Sequence, residues 1–128
     1  MSAPKILLAE DEEHIAKLVL FKFGKAGLDC VWAKNGQEAL EQVRRGGFDL
    51  IVLDIMMPVM DGWTVLTHMA DEGITPFPKI IMLSARGFQH DLGVSARLGI
   101  KHYLKKPFDP KEMLETVQKV LAEPTQHG

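Results

Sequence analysis

The sequence predicts an α/β domain in which a strand and a helix alternate five times around a parallel sheet. Three observations predict it. Short apolar runs alternate with longer segments whose apolar residues recur at helical spacing. The runs are apolar throughout, as in strands buried on both faces, which calls for helices on both sides of a parallel sheet. Glycines punctuate the ends of the helical segments, where C-terminal caps belong.

Lys5 to Ala9 (KILLA) reads as the first strand. Glu12 to Lys25 follows as a helix with Ile15, Leu18, Val19 and Phe23 on one face, closed by Gly24 and Gly27. Leu28 to Ala33 (LDCVWA) is the second strand, and Gln37 to Arg45 the second helix, carrying Ala39, Leu40 and Val43 and ending at Gly46 and Gly47. Asp49 to Leu53 (DLIVL) is the third strand. Asp61, before Gly62, stands where an N-cap belongs for a helix over Trp63 to Asp71, with Val65, Leu66 and Met69 inward and Gly73 beyond its end. Lys79 to Leu83 (KIIML) is the fourth strand. The fourth helix lies within Phe88 to Leu98, its pattern interrupted by Gly93 and ended by Gly99. His102 to Leu104 (HYL) is the fifth strand, and Pro110 to Ala122 the fifth helix, with Met113, Leu114, Val117 and Leu121 as its apolar face. Residues 1–122 thus read as one domain, and residues 123–128 (EPTQHG) as a tail or truncated linker.

Composition agrees with that size. A chain of 128 residues, 46% hydrophobic, buries one real core and leaves no room for a second. Net charge is −2 from 15 basic and 17 acidic residues, and neither sign forms a block, so nothing recommends direct nucleic-acid binding or a membrane surface. The single Cys30, between Leu28 and Val31, makes no internal disulfide and reads as a small buried hydrophobe. No charged-then-apolar leader is present, and no apolar run approaches the ~20 residues of a membrane helix. A cytoplasmic home is expected.

In parallel sheets of this kind, ligands bind beyond the carboxyl ends of the strands. The first strand delivers Glu10 and Asp11 there, the third Asp54, the fourth Ser84 and the fifth Lys106. Plainer readings exist for most of them. Glu10 to Glu13 open a helix whose dipole acids complement, Ser84 suits a turn, and Lys106 resembles its solvated neighbour Lys105. Asp54 resists such a reading, because it ends an apolar run (LIVLD) and Asp61 already serves as the cap. A carboxylate at the end of a buried run is costly unless its charge is used. Glu10 and Asp11 nearby worsen the crowding, since at 4 Å a like-charge pair costs ~4 kcal/mol at an effective dielectric of 20. A divalent cation reverses that sign. Mg²⁺ suits hard oxygens and carboxylate-plus-phosphate sites, whereas His14, His68, His90, His102 and His127 show no paired zinc-ligand spacing. With the metal in place, Asp54 is an ionised nucleophile able to form an aspartyl phosphate, with Ser84 and Lys106 holding the phosphoryl oxygens.

These motifs together resemble the receiver domain of bacterial two-component response regulators. KILLAEDEE is similar to that family's first strand and acidic pair, LIVLDIMMPVMDG to its phosphoacceptor strand and loop, IIMLSA to its Ser/Thr-Ala motif, and YLKKPF to its Lys-Pro motif. The likeness runs over about residues 4 to 122, with the motifs in the family's order. It implies a flavodoxin-like doubly wound sheet with strand order 2-1-3-4-5. It also implies that Asp54 is the phosphorylated residue, that Asp11 binds Mg²⁺ directly and Glu10 through water, and that the Met56 backbone carbonyl is a further ligand. Ser84 would be the hydroxyl that moves to the phosphoryl group, Lys106 its cationic partner and Tyr103 the aromatic switch. Met56 and Arg86 would flank the path of the water that hydrolyses the phosphoryl group. The Lys106–Pro107 peptide is expected to be cis.

Two departures stand out. Ala9 replaces a usual Val, and Ile100-Lys101-His102-Tyr103 replaces a frequent Ala-Asp-Asp-Tyr. Regulators that dimerise through the fourth helix, fifth strand and fifth helix use acids in that segment, which counts against that mode here. The function implied is a phosphorylation-activated switch, not an enzyme acting on other molecules. It would catalyse its own phosphoryl transfer from a sensor histidine kinase or histidine phosphotransfer protein, and signal to a downstream protein or output domain through the fourth helix, fifth strand and fifth helix. Two rivals differ from it. A phosphorylation-independent pseudo-receiver would lack part of the metal and lysine set, which is complete here, and a Mg²⁺-dependent aspartyl-phosphate phosphatase of the haloacid dehalogenase type needs an acid where Met56 stands.

Overall fold

A computed structural model describes residues 3–85 and 92–124 of the chain. Ten elements alternate: β1 (Lys5–Ala9), α1 (Glu13–Lys25), β2 (Asp29–Ala33), α2 (Gly36–Arg45), β3 (Leu50–Asp54), α3 (Gly62–Asp71), β4 (Lys79–Ser84), α4 (Leu92–Leu98), β5 (Tyr103–Lys105) and α5 (Pro110–Ala122). All strand pairs are parallel, in the order β2-β1-β3-β4-β5. The expected doubly wound sheet is present.

Alternation along each strand divides the core in two. Ile6 and Leu8 of β1 join Leu50 and Val52 of β3 beneath Ala16, Val19 and Phe23 of α1 and Met113, Val117 and Val120 of α5. Leu7, Ala9, Ile51 and Leu53 point the other way, toward Ala39, Leu40 and Val43 of α2 and Val65, Leu66 and Met69 of α3. Burial on both faces is why these strands carry no polar residue until their ends. No helix among the described residues is long and apolar enough to cross a membrane.

The structure corrects several local expectations. Leu18 is 56% exposed, because the stripe that meets the sheet runs through Ala16, Val19 and Phe23, with Leu18 on its flank. In α5 the stripe runs through Met113, Val117 and Val120, leaving Leu114 and Leu121 half-buried. Gly24 lies inside the last turn of α1, and the helix is closed by Gly27, at φ +82°. Cys30 is only half-buried, since β2 is an edge strand, yet burial and then the charge of Asp29 push its thiol up to about 12. β5 sits one residue later than expected, β3 and β4 extend to include Asp54 and Ser84, and α4 holds Gly93 within it. The first part of the expected fourth helix, Phe88 to Asp91, lies outside the described residues.

Candidate functional site

Four adjacent parallel strands end on one edge, so the residues they deliver meet there. Asp54, the last residue of β3, pairs in register with Leu83, and Ser84 with Lys105. The backbone continues this ladder past the strands, with the Lys106 N–H donating to the Ser84 carbonyl at 2.8 Å and the Ile55 N–H to the Leu83 carbonyl at 3.1 Å. The Lys106–Pro107 peptide is cis, as expected.

Lys106 is the centre of the cluster. Its Nζ lies 2.5 Å from Asp54 Oδ2 and 3.1 Å from Glu10 Oε1. Asp54 is 2% exposed and Glu10 fully buried, whereas Asp11 is open to solvent. The Met56 N–H donates to Asp54 Oδ1 at 3.1 Å, and the Glu12 N–H to Glu10 Oε2 at 3.1 Å. One carboxylate oxygen from each of Glu10, Asp11 and Asp54 lies within 4.8 Å of the other two. Like charges at that spacing repel by about 3 kcal/mol per pair at an effective dielectric of 20.

Electrostatics follow from this geometry. Burial raises Asp54 above the ordinary carboxylate range; the Lys106 ammonium and the Met56 N–H pull it back in part, and Asp11 pushes it further up. Burial likewise raises Glu10, against the Glu12 N–H and Lys106. For Lys106, burial works against the ammonium, but the hydrogen bond and charge of Asp54, with Glu10, raise it overall. Three carboxylates against one ammonium leave two negative charges when all are ionised (−3 + 1 = −2). That surplus, made wholly of hard oxygen donors with one open side at Asp11, fits a divalent cation of the Mg²⁺ type.

The other expected site residues divide. Ser84 is half-buried on the same edge, and among the described residues no hydrogen bond joins its hydroxyl to Asp54 or Lys106. The Tyr103 hydroxyl lies 2.9 Å from Ser95 Oγ of α4, on the helix side of β5. The Met56 side chain is 65% exposed beside Asp54, and Arg86 lies outside the described residues.

Two supporting residues escaped the sequence reading. A Cβ on Gly62 would come 2.6 Å from the Asp54 carbonyl oxygen and 3.1 Å from Ile55 Cα, so α3 starts directly against the backbone of Asp54. Asp61 caps that helix as expected, accepting the Thr64 N–H at 2.8 Å. The Asp-Gly pair was the available signal, read only for its cap. Trp32, at the end of β2, donates its indole N–H to the Glu10 carbonyl at 2.7 Å, a contact across 22 residues that no local pattern announces.

Comparison with known proteins places this arrangement. Residues 6–118 match the family model of the response regulator receiver domain. The alkaline phosphatase synthesis transcriptional regulatory protein PhoP of Bacillus subtilis is 37% identical over 117 residues, which are 91% of this chain and 48% of that protein. The phosphate regulon transcriptional regulatory protein PhoB of Escherichia coli is 34% identical over 119 residues, 93% of this chain and 52% of that protein. This chain therefore spans about half the length of these relatives. The chemotaxis response regulator CheY4 of Vibrio cholerae superposes with a TM-score of 0.81 at 29% identity, over 93% of this chain and 99% of that one.

Proposed function

This chain belongs to the response regulator receiver domain family, and from that premise we propose that Asp54 accepts a phosphoryl group in a Mg²⁺-dependent reaction and thereby switches partner binding. The donor is a phosphohistidine of a sensor histidine kinase or a histidine phosphotransfer protein. An Asp54 carboxylate oxygen bonds to phosphorus as the phosphorus–nitrogen bond breaks, and the imidazole leaves with that electron pair. The observation that carries the reading is the Lys106 ammonium held 2.5 Å from Asp54 beside three carboxylates whose oxygens lie within 4.8 Å of one another.

Each residue has a task in that step. Asp54 is fixed by the end of β3, by the Met56 N–H and by α3 packed behind it at Gly62. Lys106 neutralises charge developing on the transferring group, and Ser84, at the same edge, supplies a hydroxyl for a phosphoryl oxygen. Glu10, Asp11, Asp54 and the Met56 carbonyl would hold Mg²⁺, which supplies further charge neutralisation. Tyr103 and Ser84 lie on neighbouring strands, so movement of Ser84 toward Asp54 would free Tyr103 to turn inward and alter the face of α4, β5 and α5. That face is the proposed contact for a downstream protein or output domain. We read residues 1–122 as the receiver unit, 123–128 as tail or linker, and the setting as cytoplasmic.

The test is mass spectrometry after incubation with acetyl phosphate and Mg²⁺. The parent should gain one phosphoryl group, and Asp54→Asn should gain none while keeping its fold. An undiminished mass shift in the variant would overturn the assignment, and none in the parent would favour a pseudo-receiver.

A further inference from the structure

We infer that Trp32 is a positioning residue for the acidic pair, fixing through its indole N–H the turn from which Glu10 and Asp11 reach the metal. This rests on reading Glu10, Asp11 and Asp54 as the Mg²⁺ site.

Glu10 is the point where the chain leaves β1. Its N–H donates to the carbonyl of Ala33 at 3.0 Å, and its carbonyl accepts the Trp32 indole N–H at 2.7 Å. Both backbone polar groups of Glu10 are thus held by consecutive residues of the edge strand β2. Its side chain is then turned back to accept the Glu12 N–H at 3.1 Å. Asp11 has no such anchor: it is exposed, and among the described residues no hydrogen bond or ion pair holds its carboxylate.

Asp11 therefore takes its position from Glu10. The Glu10 carbonyl and the Asp11 amide share one rigid peptide plane, so fixing that carbonyl fixes the direction in which Asp11 leaves it. The indole is suited to the task because its nitrogen is a donor only, and its ring is packed against the cluster formed with α1 and α5. Without the indole N–H, the peptide is free to turn and the Asp11 carboxylate no longer converges on Asp54 and Glu10. The plainer alternative is that Trp32 merely fills space beside α1. Trp32→Phe separates the two readings, since it keeps an aromatic ring and removes the donor.

Two measurements test this. In Trp32→Phe, a Mg²⁺ titration followed by the amide resonances around Asp11 and Met56 should show about tenfold weaker binding, the range expected when a hydrogen bond supporting a metal ligand is lost. In the parent, the Trp32 indole proton, identified by its absence from the variant or by assignment, should exchange slowly with solvent and shift when Mg²⁺ is added. An indole proton exchanging at the rate of an exposed indole overturns the inference even if the variant does not fold. Unchanged Mg²⁺ affinity in a folded variant overturns it while leaving the site reading intact. Absence of Mg²⁺ binding by the parent overturns both.

Discussion

Two half-buried lysines, Lys79 at the start of β4 and Lys106 just past the end of β5, sit at opposite edges of one sheet and meet opposite surroundings. The Lys79 ammonium donates to the backbone carbonyls of Val120 at 3.0 Å and Leu121 at 3.2 Å, and also to that of Glu123. It closes the C-terminal end of α5, where carbonyls lack helical partners and a cation complements the dipole. Beside it His102 lies 2.9 Å from the Glu123 carboxylate, so among the described residues both the carbonyl and the carboxylate of Glu123 have partners within the fold. Lys106 instead faces Asp54 and Glu10, with Asp11 close by, so that with all three carboxylates ionised one ammonium leaves negative charge over. The same residue type completes a structure at one edge and leaves a site unfinished at the other. A surplus that folding does not cancel is what a ligand can use.

Exchanging each lysine for methionine breaks the comparison most sharply. Lys106→Met should lower phosphoryl uptake from acetyl phosphate by more than tenfold, on the order of the loss of one charge-stabilising donor. Lys79→Met should leave uptake unchanged but lower stability in urea by about 1–3 kcal/mol, because part-buried carbonyls at the end of α5 lose a charged donor. If Lys79→Met impairs uptake as much as Lys106→Met does, the two edges are not separate in function.

A smaller effect concerns how long the phosphoryl group persists. Met56 stands exposed beside Asp54 and its thioether is at best a weak acceptor, a poor partner for an attacking water. Arg86, two residues past Ser84 in the sequence, is long and cationic, and we propose that it hinders the entry of that water. We expect slow hydrolysis in the parent, and a severalfold shorter lifetime for Met56→Asn combined with Arg86→Glu. Loss of phosphoryl label at fixed Mg²⁺ measures it, and an equal or longer lifetime in the double variant removes these two side chains from the explanation.

The charged edge should also show in the pH dependence of stability. With Asp54 and Glu10 raised by burial, the metal-free folded protein holds protons that the unfolded chain has released. The stabilisation is complete on the acid side of the ordinary carboxylate range and is lost as pH rises through that range to the raised native values. Mg²⁺ requires deprotonated ligands, so its stabilising effect should grow over the same window. Urea melts at stepped pH, with and without Mg²⁺, give the sign, and a metal-free stability that climbs through this window would contradict the burial argument. The smallest effect belongs to the loop after Asp54. Val59 holds φ +72° with 78% of its surface exposed, a conformation that strains a β-branched residue. Val59→Gly should stabilise the protein by about 1 kcal/mol, the relief of strain outweighing the added freedom of the unfolded chain.

Much of this protein was determined by sequence alone. Unbroken apolar runs specify strands buried on both faces because a polar side chain there would lack partners, and helical spacing with terminal glycines specifies the segments between them. The four motifs then place Asp54, Glu10, Asp11, Ser84 and Lys106 at strand ends, and in a parallel sheet all those ends share one edge. Periodicity identifies an apolar helix face without saying which line of it meets the sheet, so Leu18 is apolar in the pattern yet open to solvent, while small Ala16 is buried. Tertiary structure alone decided contacts between residues far apart in the chain. The Trp32 indole on the Glu10 carbonyl, α3 resting on Asp54 at Gly62, and the sharing of Lys106 by Glu10 and Asp54 depend on distances set when separate strands pack. Such distances have no local signature, because a hydrogen bond or a close approach is a property of two places at once.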